Sequence, residues 1–311
     1  MHISSRTMTS HRKCGMAGAM LIGCAAFSCL AAPSGDEPST RAAETLVAPF
    51  PCPANGVAPP HYGVFIGNSA TLLAYEFASP CIPKEVLRAA ESIGMARTKP
   101  VGIRNVSTTT FVASGLIASD GKGRSRADIQ ADSVKFTIAY YVPGLRLEID
   151  GMQGGNKVHE IRVVAEGSAW NEQTPGMGEL PATGNVAARE AQIFLTPFGA
   201  VWALADAEGA VKVSVVNGAT VLQAPSASGP IAVTLDQQER PVHVILKSAV
   251  GTYEADFGGY RGDWEPEYLV RFPEHIVWRL NSRVIADLTV KKFNANTYAV
   301  FPKPLPLAVA K

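Results

Sequence analysis

The residues most able to do chemistry in this chain are four histidines beyond the N-terminal region, His61, His159, His243 and His275. No two stand at a metal-ligand spacing such as H-x-x-x-H, and no cysteine cluster joins them. His159 and Glu160 fall on a predicted strand, where neighbours point to opposite faces, so they cannot chelate one ion together. The pattern therefore gives no metal site and no cofactor. The nucleophile elbow G-x-S-x-G, the P-loop and the G-x-G-x-x-G turn do not occur in the chain. Asp263, Glu265 and Glu267 cluster beside Trp264 and Tyr268. Carboxylates among aromatics are what carbohydrate chemistry needs. The plainer reading is a solvated loop held by its tryptophan. Arg261-Gly262-Asp263 is an adhesion tripeptide by coincidence of composition. The chain is read as non-catalytic, with a hydrolase assembled from distant residues kept as a third alternative.

Thiols are the other reactive groups: Cys14, Cys24, Cys29, Cys52 and Cys81. Three of them lie in a stretch with its own logic. Met1–Lys13 is polar and carries Arg6, Arg12 and Lys13, and Cys14–Ala32 is apolar and uncharged. A basic segment before a short apolar one is the pattern of an export signal. At about 19 residues the apolar run is marginal for a membrane span, and no basic stop follows it. Leu21-Ile22-Gly23-Cys24 resembles the bacterial lipobox, which implies cleavage before Cys24 and a diacylglycerol on its thiol. Such a double chain anchors stably, at about 0.8 kcal/mol per buried CH₂. Ordinary cleavage near Ala31 is the alternative. It would leave Cys52 and Cys81 as a tidy pair, whereas a cut before Cys24 leaves Cys29 unpaired. In either case Cys52 and Cys81 are expected to be exported and disulfide-bonded. The bond would close a loop of about 30 residues and contribute roughly 3–4 kcal/mol by the chain-entropy estimate. Two buried free thiols are the other possibility. The expected location is the periplasm or the outer membrane.

Composition narrows the field further. Apolar residues make up 47% of 311, and the formal net charge is +1. Without a basic excess there is no electrostatic footprint for nucleic acid. Length beyond the signal suffices for one large β-rich domain with a substantial core.

The elements that must position any site follow from local pattern. Segment 1–32 reads as the signal (1–23 if the lipobox is used), and 33–60 as a Pro- and Ala-rich linker. Residues 61–83 form a predicted hairpin closed by Cys52 and Cys81, with Tyr62–Ile66 and Leu72–Phe77 as its strands and Gly67-Asn68-Ser69 as its turn. Pro83 starts a short helix with Val86, Leu87, Ala90 and Ile93 on one face and Gly94 as its stop. Strand signals run from Ile103, and Thr108–Ala118 leads into the turn Ser119-Asp120-Gly121-Lys122-Gly123. Val134, Phe136, Ile138, Tyr140 and Val142 share one face, opposite Lys135, Thr137 and Ala139. Leu145, Leu147 and Ile149 continue the alternation, and Gly154-Gly155-Asn156 turns the chain into Val158–Ala165. The helical island is 185–207, where Asn185 is placed to cap and Pro197 interrupts. Phe198, Val201, Trp202 and Ala205 form an apolar stripe there. Strands then return. Asn217-Gly218 is the strongest hairpin signal, Arg261–Glu267 reads as a polar loop, and Asn281-Ser282 as a turn. The sum is a mainly β (α+β) fold: a curved antiparallel sheet of about ten or eleven strands with a helical lid inserted mid-chain.

This order of elements resembles the LolA-like half-barrel of periplasmic lipoprotein carriers, their lipid-anchored receptors and related lipid-binding lipoproteins. The resemblance rests on the helix with Ala89-Ala90 and Gly94, and on the mid-chain helices with Phe198, Val201 and Trp202. It rests also on Phe272-Pro273-Glu274-His275-Ile276 followed by Val284–Val290. By order of elements it spans residues 84–302, within a β domain read as 84–311. The proline-rich arm and the Cys52–Cys81 segment depart from it, and no family residue is carried over. The resemblance implies a concave apolar face covered by a lid, and a lipid or lipidated protein as ligand. Phe136, Ile138 and Tyr140 would meet the ligand from the sheet, and Phe198, Val201 and Trp202 from the lid. The alternative is that all six fill a core. A different class stays open: an envelope module that docks a protein partner through its concave face or a sheet edge.

Overall fold

Two-residue spacing of apolar side chains builds the frame from Thr108 onward. In the computed structural model the described residues are 82–95, 106–119, 128–265 and 270–302, together with the backbone of four two-residue strands. Cys24, Cys52 and Cys81 lie outside the described residues, as do the signal, the 33–60 linker, His61, Glu267 and Tyr268. Ahead of the frame, β1 (Val64–Phe65) pairs antiparallel with β2 (Ala74–Tyr75). This pairing lies within the two runs expected to form the hairpin. Helix α1 covers Lys84–Ser92 and buries Val86, Ala89 and Ala90, with Gly94 at φ 78° behind it. β3 (Arg97–Thr98) and β4 (Val101–Gly102) form a second small ladder.

Thirteen strands make one antiparallel sheet. The first six are β5 (Thr108–Ile117), β6 (Ile129–Ala139), β7 (Gly144–Gln153), β8 (Asn156–Ala165), β9 (Ser168–Glu172) and β10 (Leu180–Pro181). Helices α2 (Val186–Phe194) and α3 (Pro197–Ala207) follow. The last seven strands are β11 (Lys212–Val216), β12 (Ala219–Ala224), β13 (Ile231–Leu235), β14 (Pro241–Lys247), β15 (Thr252–Glu265), β16 (Val270–Leu280) and β17 (Arg283–Ala295). The chain enters at the centre with β5 and walks out to β10. It then crosses to the far edge and walks back from β11 to β17, which pairs with β5. The sheet is unclosed, and the helices are the crossing between its two edges. The expected half-barrel with a mid-chain helical insert is therefore present.

The sheet has more strands than the ten or eleven expected, because β9 and β10 are short and lack a clean alternation. Three other local expectations are corrected. The apolar run from Val134 leaves the sheet after Ala139, so Tyr140 stays buried while Val142 sits in the turn, 52% exposed. Segment 261–265 belongs to β15, which continues through a bulge against β16. Asn185 stands at the start of α2 but makes no side-chain cap; the helix cap comes instead from Thr196, whose hydroxyl accepts from the Gly199 amide of α3. Pro197 begins α3, where its missing amide costs nothing.

Bulges at β5–β6, β6–β7 and β17–β5 bend the middle of the sheet. Gly115 sits at one of them with φ 141°, where any Cβ would lie 2.0 Å from the Asp287 carbonyl oxygen. The concave face collects Phe111, Phe136, Phe272, Phe293 and Trp278, all buried. Phe111 stacks on Phe136 at 4.3 Å, and Phe272 on Phe293 at the same distance. Phe198 of α3 lies over Phe272 and Phe293. Two indoles fasten the layers: Trp278 donates to the Leu195 carbonyl between the helices (2.7 Å), and Trp202 to the Val106 carbonyl before β5 (2.9 Å). The first satisfies an orphan carbonyl at the end of α2.

Helix α2 packs over β7, β8 and β9, and α3 over β12, β13 and β14, so the pair covers both halves of the sheet. Buried Arg189 of α2 donates to the carbonyls of Val163 and Trp170. A smaller apolar cluster of Ile161, Val163, Ala165 and Trp170 is closed by Phe301. Beside it, Arg146 grips Glu172 with two hydrogen bonds of 3.0 and 2.9 Å.

Close approach of α2 and α3 depends on Gly199, since a Cβ there would lie 2.0 Å from the Ile193 carbonyl oxygen. Gly199→Ala is expected to destabilise by about 1–3 kcal/mol, as overpacking does. Gly258→Ala, where a Cβ meets nothing within 4 Å, should stay near wild type in the same thermal melts.

Candidate functional site

Tyr140 is the last inward residue of the β6 alternation, and it sits where the sheet meets the helices. Its hydroxyl is hydrogen-bonded to Thr109 (2.9 Å) and to Thr196 (3.2 Å). Its ring stacks against Trp202 at 6.3 Å and tilts toward Phe198 at 6.4 Å. Next to this cluster opens a cavity of about 310 Å³. Its walls come from four places. Tyr140 and Pro143 flank the β6–β7 turn, and Ile193 and Phe194 end α2. Trp202, Ala203, Asp206 and Ala207 face it from α3, and Pro225, Ser226 and Ala227 lie between β12 and β13. The cavity thus sits at one end of the half-barrel, between the helical insert and two turns of the sheet.

Of the six residues proposed from sequence, Tyr140 and Trp202 line this cavity. Phe136, Ile138, Phe198 and Val201 are fully buried in the packing behind it. Pro143, Pro225 and Ala227 carried no sequence signal beyond turn composition, and only the fold brings those turns to the ends of the helices. Ile193 and Phe194 are apolar residues of α2. Their position at its last turn places them on the wall.

The cavity wall is mostly apolar, with Asp206 at its exposed side, and the polar groups of Tyr140 and Trp202 are engaged within the protein. Burial pushes the Tyr140 hydroxyl up to about 12, against smaller opposing effects of its bonds to Thr109 and Thr196. The group stays neutral and serves as a strut between β5, β6 and the helix junction. It offers no charge to a ligand.

The other chemical candidates lie elsewhere. His159 meets Asp150, His243 meets Asp256 and His275 meets Asp287, each at 2.7 Å across strands. Partial burial pushes the Asp256 carboxyl up, but hydrogen bonds from Arg279 and His243 outweigh it and hold the carboxyl below its usual range. Among the described residues, no group of three or more His, Cys, Asp or Glu is arranged to hold a metal ion. Asp263 is paired with Arg261, which also reaches Glu274 and lies over the Trp264 ring. Trp264 in turn donates to the Phe272 carbonyl (3.2 Å). That cluster is an anchored, exposed ion-pair network. Among the described residues, no helix is long and apolar enough to cross a membrane.

No family model and no curated protein matches the chain. Comparison with solved structures finds likeness to the LolA superfamily protein NE2245 from Nitrosomonas europaea, at 13% identity over 70% of this chain and 94% of that one, with a TM-score of 0.38. LprF from Mycobacterium bovis is similar at 8% identity over 73% and 98%, with a TM-score of 0.27. An uncharacterized conserved protein from Thermus thermophilus is similar at 11% over 71% and 94%, with a TM-score of 0.25.

The raised Tyr140 value carries a stability signature. A phenol whose folded value lies above its ordinary 10.0 stabilises the fold fully below pH 10, and that contribution is lost as pH rises toward about 12. Tyr140→Phe is expected to cost about 1 kcal/mol near pH 8, through the lost hydrogen bonds. The deficit should shrink between pH 10 and 12 as the wild type loses its own advantage. Thermal melts of both proteins across that range check this, and a constant difference would refute the assignment.

Proposed function

We propose that the protein binds an apolar ligand, an acyl chain of a lipid or of a lipidated protein, in the cavity at the end of the half-barrel. One observation carries the reading: a concave space of about 310 Å³ between a helical insert and the sheet, walled by Tyr140, Pro143, Phe194, Trp202 and Pro225. Its volume is at the lower end of those found for small-molecule sites. The Tyr140 hydroxyl and the Trp202 indole are both engaged within the protein, so affinity would come from apolar burial at about 25 cal/mol per Å². The half-barrel resemblance read from the sequence supports the same ligand class. Asp206 on the wall is exposed, and a polar headgroup would sit on that side. In this reading the protein is exported and acts in the cell envelope. A lipid on Cys24 would tether it through the 33–60 segment, and Cys52–Cys81 would close the preceding hairpin.

Native mass spectrometry of the full exported chain tests the binding. A stoichiometric lipid adduct that disappears on denaturation is expected, which separates bound lipid from any covalent lipid on Cys24. Ala203 lines the cavity and is itself buried. Ala203→Phe should fill the space and remove most of the adduct while the thermal transition stays cooperative. A lipid-free mass after incubation with envelope lipids would overturn the proposal.

A further inference from the structure

We infer that β11 is a self-pairing edge, through which two copies of this chain form a closed, two-fold dimer. Among the described residues, β11 pairs with β12 on one side and with nothing on the other. All five of its residues are exposed, including Val213 (43%), Val215 (71%) and Val216 (51%). Open apolar edges are templates for another strand, and proteins usually blunt them with proline, charge or brevity. The opposite edge of the same sheet is blunted in this way: β10 has two residues, and Pro181 has no amide to donate. Among the described residues, one edge is guarded and the other is open.

Register decides what fits. The two-residue turn Asn217-Gly218, at φ 51° and 81°, makes Val216 and Ala219 the closing pair of the hairpin. In a hairpin of this kind the closing pair is a hydrogen-bonded one, and alternate pairs follow suit. Residues 212, 214 and 216 therefore turn their backbone groups toward β12. Val213 and Val215 turn theirs to the open side. An antiparallel second copy related by a two-fold axis at Ser214 sets Val213 opposite the partner's Val215, and Val215 opposite the partner's Val213. All four outward amides and carbonyls are then matched, in two hydrogen-bonded pairs.

Side chains fit the same register. Val213 pairs with inward-facing Leu222 across the hairpin, so Val213 and Val215 lie on the concave side. Valine meets valine there in both new pairs. Lys212 falls opposite the partner's Val216, which keeps the two lysines about 13 Å apart at 3.3 Å per residue. Like charges are not opposed. Since the same patch serves both copies and the β10 edge is blocked, the assembly closes at two and does not grow into a fibre.

Sedimentation velocity on the full exported chain over a range of concentrations is the test, joined to cysteine cross-linking. A concentration-dependent monomer–dimer equilibrium is expected. Val215→Lys, at a position 71% exposed, should weaken dimerisation roughly tenfold, because each substitution spoils two symmetric cross-strand pairs. Ser214→Cys places two thiols directly across the axis. It should give a reducible covalent dimer beyond the wild-type level under mild oxidation. Lys212→Cys should not exceed the wild-type level. A chain that stays monomeric, with no added cross-linking for Ser214→Cys, overturns the inference. So does a dimer that Val215→Lys leaves intact, equal cross-linking at 212 and 214, or growth beyond two copies. None of these outcomes bears on the lipid cavity, which is lined by residues outside β11.

Discussion

A helix that is apolar on every side has to be surrounded, and α3 is such a helix. From Pro197 through Ala205 each residue is buried. Its exposed alternative would leave Phe198, Val201, Trp202 and Leu204 in water, at roughly 1.5–3 kcal/mol apiece. The enclosing layers follow from that requirement. The concave face of the sheet supplies one side, with Phe272 and Phe293 under Phe198. Helix α2 supplies another through the tight crossing at Gly199, and α1 a third. The stripe expected at Phe198, Val201, Trp202 and Ala205 is real, but it is part of an all-round apolar surface.

Topology gives α3 its place. A sheet that starts in its middle and ends in its middle has its two halves walking outward and back, so one connection must join opposite edges. Here that connection is residues 182–211. It can cross only over the concave face, because that is where the apolar side chains of both halves converge. Layered packing of helices on one face of an antiparallel sheet is the consequence. The cavity beside Tyr140 arises where this crossing meets the end of the sheet. The helices leave the β6–β7 turn and the β12–β13 loop without filling the space between them.

Polar groups in this structure act as fasteners. The Tyr140 hydroxyl, the Trp202 and Trp278 indoles, Arg189 and the Arg146–Glu172 pair each bind an element that apolar contact alone would let slide. Burial pushes the Glu172 carboxyl up, yet bonds from Arg146, Gly176 and Trp170 outweigh this and hold it below its usual range. A buried polar group is expensive to leave unpaired, so each fastener specifies one geometry. The three His–Asp pairs between neighbouring strands are largely exposed and contribute little by comparison. None of these groups is presented to the cavity as a charge.

Local chemistry settled much of this protein in advance. Asn217-Gly218, Gly154-Gly155 and Asn281-Ser282 all adopt positive φ in two-residue turns, so the hairpins around them were readable from residue type. Phe136, Ile138, Leu145, Leu147 and Ile149 were readable as an inward face, because strand periodicity needs no knowledge of neighbours. Pro197 had to begin a helix or break one. The rest depended on distant partners. The β5–β17 pairing that joins the halves has no local signal. β9 is a strand because β8 offers it an edge, and β10 because β9 does. Whether Tyr140 and Trp202 face a cavity while Phe136 and Phe198 face only core depends on where two turns and two helix ends come together. Sequence pattern sets which side of an element is apolar; three-dimensional closure decides what that side meets.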